Sequence, residues 1–285
     1  MKHKARGITL PKAFIQKLEM KRYSINTIRT YRSMLCDFLN YYHQHDEACI
    51  NQLQETDIKR YIYHLVKERK VSASFQNQAI NAIKFYYEQV LGRKKIFIKI
   101  DRPRKELRLP KVLSKDEIKL IISCIHNIKH KAIISLIYSA GLRLSEVINL
   151  KIEDIHSQQG LIFVRAGKGK KDRTTLLASS ILPLLRAYYI DYKPKEWLFE
   201  GYSGEKYSDS SIQKIFKRAL LKSGIHKHAS VHTLRHSFAT HLLENGTSLR
   251  YIQEFLGHGS SKTTEIYTHI RSEGIDRIKS PFDSL

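Results

Sequence analysis

Behind Ser24, apolar side chains fall at Ile28, Tyr31, Leu35, Phe38 and Tyr42, in steps of three and four. That spacing lines one face of an α-helix and does not fit the strict alternation of a half-buried strand. It therefore commits the start of the chain to helix-on-helix packing. Ser24 is a fitting N-cap, because its hydroxyl can accept an orphan amide of the first turn. The pattern returns after Thr56, with Ile58, Tyr61, Ile62, Leu65 and Val66. It returns again after Ser74, with Phe75, Ala79, Ile83, Tyr86 and Val90, and Gly92 offers a C′ stop. A shorter run around Phe14 and Leu18 makes a fourth helix. Such faces can bury one another, so residues 1–100 read as a small four-helix domain.

The composition then changes. Asp101 to Lys111, DRPRKELRLPK, holds two prolines, five basic residues and only two apolar ones. Residues 101–111 are read as an extended basic interdomain linker. Ser114-Lys115-Asp116-Glu117 directly afterwards is a capping box and opens a second domain, residues 112–285. That domain is mostly helical, with Leu161–Arg165 as a strand and Thr174–Leu177 as its antiparallel return. The turn between them, AGKGKKDR over residues 166–173, is crowded with cations. Further helices are expected over Ser179–Tyr192, Ser208–Ser223 and Thr233–Asn245, the last two followed by Gly224 and Gly246. The fold class is mainly α with a small β-hairpin.

Charge narrows what such a chain can bind. Its 50 Lys and Arg against 27 Asp and Glu leave a net charge of +23. Both parts share the excess, with 19 basic and 8 acidic residues over 1–100, and 31 and 19 over the remainder. A basic tail would load one end, whereas an evenly basic body points to a polyanion lying along it, nucleic acid above all. A generally basic solvated surface is the bland alternative. The longest nearly apolar run, Ala132 to Leu142, lies between Lys131 and Arg143 and is shorter than the ~20 residues that span a bilayer. Three scattered cysteines, Cys36, Cys49 and Cys124, form neither a disulfide framework nor a zinc motif, and a reducing cytoplasm is the expected setting.

The chemistry is constrained by what is missing. No carboxylate spacing suits a pair of divalent metals and no P-loop occurs, so metal, ATP and other cofactors are not expected. Phosphoryl transfer without metal needs cations on the non-bridging oxygens, an in-line nucleophile and an acid for the leaving oxygen. Arginine suits the first task, because its planar fork binds phosphate in two places and stays charged. One ordered set fills these needs: Arg143 in AGLRLSE, Lys168 in the cationic turn, His232 and Arg235 in VHTLRHSFATH, His258 in LGHGS and Tyr267 in EIYTH. Arg143 could instead end an apolar helix and pair with Glu146, Lys170 and Lys171 compete with Lys168, and Tyr251 with Tyr267. His232, His236 and His241 can be read as a metal cluster, with 232 and 236 at i, i+4, but no carboxylate or cysteine completes the set and Arg235 would repel a cation.

In that order, and with nine residues from His258 to Tyr267, the set resembles the tyrosine recombinase, or phage integrase, family. The resemblance covers essentially the whole chain and is nearest the compact Xer-like branch. It implies an N-terminal core-binding, SAM-like domain and a C-terminal catalytic domain that form a C-shaped clamp on double-stranded DNA at inverted-repeat core sites. It also implies site-specific recombination through a 3′-phosphotyrosine on Tyr267 and a Holliday junction. Arg143 and Arg235 would clamp the phosphate, Lys168 would act as general acid, His232 would assist proton removal and His258 would bond a non-bridging oxygen. The apolar stripe Ile270, Ile275, Ile278, Phe282 and Leu285 implies a tail helix over about 272–285, packed into a neighbouring protomer of a homotetramer. Accessory factors remain possible partners. A DNA-binding regulator on the same scaffold and a type IB topoisomerase are the competing functions.

Overall fold

The computed structural model describes residues 10–42, 51–93, 102–103, 111–165, 172–257 and 280–285. The chain divides into two compact units, Met1–Leu107 and Arg108–Leu285.

The first unit includes the α-helices α1 (Lys12–Met20), α2 (Ile25–Tyr41), α3 (Glu55–Lys67) and α4 (Ala73–Phe85). Ser24 caps α2 as expected, its Oγ accepting from the Thr27 amide at 3.2 Å. The other two caps differ from expectation. Helix α3 starts one residue earlier, because Asp57 reaches back to the Gln54 amide at 2.9 Å and makes a capping box there. Helix α4 starts behind Ser72, whose Oγ accepts from the Phe75 amide at 3.2 Å, and not behind Ser74. Val66, placed on the buried face by spacing, is 43% exposed. The last turn of α4 widens into a π-turn over Tyr86–Val90, and Gly92 follows with φ +69°.

Aromatic rings dominate this core. Phe14 meets Phe85 edge-on at 5.7 Å, and Phe38 meets Tyr61 at 5.1 Å, the arrangement that ring quadrupoles favour. The Tyr61 hydroxyl finds its partner in Asp37 at 3.1 Å. Arg102, at the start of the basic stretch, donates to the side-chain oxygens of Asn77 at 3.2 Å and Asn81 at 2.9 Å, both on α4.

The second unit opens with α5 (Lys115–Ser123), whose predicted capping box is present: Ser114 N–H donates to Glu117 at 2.7 Å and Glu117 N–H to Ser114 Oγ at 3.2 Å. Helix α6 (Ile128–Ala140) is the hub, with every residue from Ala132 to Ala140 buried. Around it lie α7 (Leu144–Ile148), α8 (Leu182–Tyr192), α9 (Asp209–Lys222), α10 (Val231–Glu244) and α11 (Leu249–Leu256). The expected helix over 179–192 begins as a 3-10 turn, Ser179–Ile181. Helix α10 begins two residues before Thr233 because Ser230 caps it, with the Ser230 amide donating to Thr233 Oγ1 at 3.0 Å.

Three antiparallel strands cover one side in the order β1 (Ile155–His156), β2 (Leu161–Val164) and β3 (Arg173–Leu176). Strand β1, only two residues long, leaves no periodic signal in the sequence, and β3 begins at Arg173 with Val164 opposite it. The last residues pack within the same chain: Ser280 Oγ donates to the Ser139 carbonyl at 2.7 Å, and Phe282 lies 6.2 Å from the Tyr138 ring. Leu285 packs against the same core, and Ile270, Ile275 and Ile278 fall outside the described residues. Among those residues no helix is long and apolar enough to cross a membrane.

Candidate active site

Helix α6 ends at Gly141, whose φ of +60° reverses the chain. A Cβ there would lie 2.4 Å from Phe238 Cδ1, so only glycine lets the turn sit against α10. Two residues later Arg143 caps α7. Its amide donates to Glu146 Oε2 at 2.7 Å and its Nη1 to Glu146 Oε1 at 2.6 Å.

Glu146 is almost wholly buried, and two further arginines reach it from distant parts of the sequence. Arg173 of β3 donates from Nη2 to Oε2 at 2.7 Å, and Arg235 of α10 places Nη1 3.5 Å from the same oxygen. One carboxylate thus gathers three guanidiniums, and the cluster keeps a net charge of +2. Burial by itself raises the Glu146 carboxyl, but Arg173, the Arg143 amide and the guanidinium bonds outweigh it and hold the group below the usual carboxylate range.

The guanidiniums share a second anchor. The Phe255 carbonyl accepts from Arg173, the Leu256 carbonyl from Arg235, and the Gly257 carbonyl from Arg143 at 3.5 Å. These oxygens are the unpaired C-terminal end of α11, where cations are favoured by the helix dipole as well as by the bonds. Arg235 also donates to the Gly141 carbonyl at 2.6 Å. Burial first, then Arg143 and Arg173, push its pKa down to about 9, with Glu146 opposing, so it stays charged at neutral pH. Gly257 closes α11 at φ +59°, and a Cβ there would stand 2.6 Å from Arg173 Cδ.

His232 lies one turn before Arg235 on α10 and is open to solvent. The protein packed on one side of its ring lowers its pKa, and His236, Arg235 and Arg143 add to the effect. The His236 ring stands edge-on to it at 4.6 Å and 82°. His241 does not join them: it is buried and pairs with the Tyr138 hydroxyl at 2.9 Å. Among the described residues no three His, Cys, Asp or Glu side chains gather in a way that could hold a metal ion.

Of the six residues singled out from sequence, Arg143, His232 and Arg235 thus belong to one neighbourhood. Lys168, His258 and Tyr267 lie outside the described residues, Gly257 being the described neighbour of His258. Tyr251, the rival tyrosine, is half-buried against the core. Two residues were missed in their present role. In sequence Arg173 reads as part of the cationic turn, although its place two residues before the buried Thr175 puts both on the inner face of a strand. Sequence alone makes Glu146 only a local partner for Arg143.

Comparison with known proteins bears on the whole chain. The phage integrase family profile matches residues 111–273, and the N-terminal SAM-like domain of phage integrases matches residues 10–96. The tyrosine recombinase XerD of Oceanobacillus iheyensis is 35% identical over 280 residues, covering 92% of this chain and 92% of that protein. Two solved structures share the fold. One is the XerH site-specific recombinase bound to palindromic difH substrate in a post-cleavage complex (TM-score 0.68, 20% identity, 89% of this chain and 82% of that one). The other is a lambda integrase tetramer bound to a Holliday junction (TM-score 0.69, 17% identity, 93% and 78%). With the arginine cluster in place and both domains matched in order, the chain belongs to the phage integrase family and is a tyrosine recombinase, an enzyme that transfers DNA strands.

Proposed function

We propose that this recombinase cuts and rejoins double-stranded DNA at inverted-repeat core sites, with Arg143, Lys168, His232, Arg235, His258 and Tyr267 as its catalytic set. The convergence of Arg143 and Arg235 on one buried carboxylate carries the reading. A net charge of +2 with planar N–H donors is what a phosphodiester needs, and more so its transition state, which gains a second negative charge on attack.

Tyr267 Oη attacks phosphorus, the bond from phosphorus to the 5′ oxygen breaks, and a 3′-phosphotyrosine forms. Its hydroxyl proton moves toward His232, whose lowered pKa keeps the ring neutral and able to accept. Lys168 gives a proton to the departing 5′ oxygen, and His258 bonds a non-bridging oxygen. A 5′-hydroxyl from the partner strand then reverses the attack, so the bond energy is retained and neither metal nor ATP is used. Four protomers carry two such exchanges through a Holliday junction, an assembly that the lambda integrase structure has. The setting is the cytoplasm.

Covalent trapping on nicked suicide DNA tests this, using fragments that flank the chain's own gene. Wild type is expected to give an adduct that survives denaturation and Tyr267→Phe none. An adduct that persists in the variant moves the nucleophile elsewhere, and tight binding to a cleavable site without any adduct favours a regulator.

A further inference from the structure

We infer that Arg173 is a positioning residue for strand cleavage: it holds Glu146 so that Arg143 and Arg235 keep donors and charge for the scissile phosphate. The inference rests on the reading that those two arginines clamp that phosphate. Arg173 and Arg235 are equally buried, at 4% and 2% exposed, and Arg173 is set apart by ending on Glu146 Oε2 at 2.7 Å. Its effect has to pass through the carboxylate.

The geometry shows how. Glu146 Oε2 accepts from the Arg143 amide at 2.7 Å and from Arg173 at 2.7 Å, while Arg235 stands off at 3.5 Å. Arg235 makes its short bonds to the Gly141 and Leu256 carbonyls instead. A carboxylate oxygen has room for about two good donors, and Arg173 fills the second place. Without it, Oε2 would draw Arg235 inward, and the cluster's net charge would fall from +2 to +1. A single positive charge matches the ground-state phosphodiester but not a transition state carrying two negative charges. The loss would therefore fall on the chemical step rather than on binding.

A role confined to packing predicts something different. Arg173 also joins β3 to the end of α11 through the Phe255 carbonyl, and a purely mechanical defect would slow every substrate alike. The charge argument is specific to a negatively charged phosphate. Replacing one non-bridging oxygen of the scissile phosphate by methyl removes that charge and relieves the demand on the clamp.

The experiment uses the full chain and a duplex carrying the core site identified by covalent trapping, made once with a natural scissile phosphate and once with a methylphosphonate there. Arg173→Met is expected to slow adduct formation ~100-fold on the phosphodiester, the scale of losing one preorganised donor, and by less than ~10-fold on the methylphosphonate. Arg173→Lys, which keeps the charge on a differently shaped head, should show a smaller loss that shrinks in the same way. Adding Glu146→Gln to Arg173→Met restores the net charge of the cluster and should recover phosphodiester cleavage ~10-fold over Arg173→Met alone. Equal losses on the two substrates, or no recovery in the double variant, would overturn the inference. Wild type failing on both duplexes would instead count against the function proposed above.

Discussion

Arg173 and Glu146 form a 2.7 Å ion pair in which the side chains are only 4% and 3% exposed. The pair belongs to a larger arrangement, because the same carboxylate serves Arg143 and Arg235. Like charges are held together in a dry place by one anion and the tip of one helix.

Removing that anion should therefore be costly. Glu146→Ala leaves three guanidiniums without their common counter-charge, and a loss of about 3–5 kcal/mol is expected, the scale of breaking a buried ion pair. Urea unfolding of wild type and variant measures it. A loss below about 1 kcal/mol would mean that the α11 carbonyls suffice to hold the cluster together.

Two glycines with left-handed backbone separate strain from function. Gly224 has φ +69° and open space around it, whereas at Gly257 a Cβ would press on Arg173. Gly224→Ala should cost about 1–2 kcal/mol and leave the cleavage rate unchanged. Gly257→Ala should cost more and slow cleavage as well. Equal cleavage rates in the two variants would show that the Gly257 turn does not position the cluster.

The role proposed for His232 predicts the pH profile of cleavage. Its pKa lies below the ordinary 6.5, so the neutral ring persists as pH falls through 6.5 and the acid limb of the rate lies lower still. His236→Asn removes one of the groups that depress it and should move the limb to higher pH. A limb that does not move would show that another group titrates.

Stability should respond to pH in the same range, for a different reason. His241 is buried against Tyr138, and burial lowers its pKa from 6.5. Below pH 6.5 the unfolded chain binds a proton that the folded chain refuses, so stability falls as pH drops from there to the lowered value. His130 and His236 are shifted in the same direction, again by burial first. The melting temperature is expected to decline as pH falls below about 6.5, and His241→Gln should flatten that decline. An unchanged slope would place the proton uptake elsewhere.

DNA binding should be strongly salt-dependent. If about ten phosphates are neutralised per protomer, log K falls against log salt with a slope near −9. Titrations at several salt concentrations give the slope directly, and a value near −2 would be incompatible with a basic body lying along DNA.

Much of this architecture could be read from the sequence where one local interaction decides the outcome. Ser24 and the Ser114–Glu117 box cap their helices as expected, and Gly92, Gly224 and Gly246 adopt positive φ behind theirs. Reading failed where neighbours compete. Ser72 and Ser74 are equally good caps in isolation, and the packing of α4 selects the first. Strand β1 is too short to carry a periodic signal. The centre was half legible. Arg143 and Arg235 were marked by their surroundings, but Arg173 turns inward only once β3 is in register with β2. Read alone, the Arg143–Glu146 pair competes with a functional role for Arg143, but the same carboxylate also holds Arg173 and Arg235, so the pair is compatible with the proposed one. A contact between neighbours in sequence looked local because its other two partners come from β3 and α10.

The anchoring of three guanidiniums on the tip of α11 also bears on how such a chain can diverge. The acceptors at Phe255, Leu256 and Gly257 are main-chain oxygens, and no substitution can delete a carbonyl. Mutation at 255 or 256 can disturb packing but leaves the acceptor in place. Inserting or deleting a single residue in α11 is another matter, since it rotates the helix end by about 100° and misdirects all three oxygens at once. Related enzymes should thus tolerate varied side chains at this tip while keeping its length, a constraint on spacing rather than on identity.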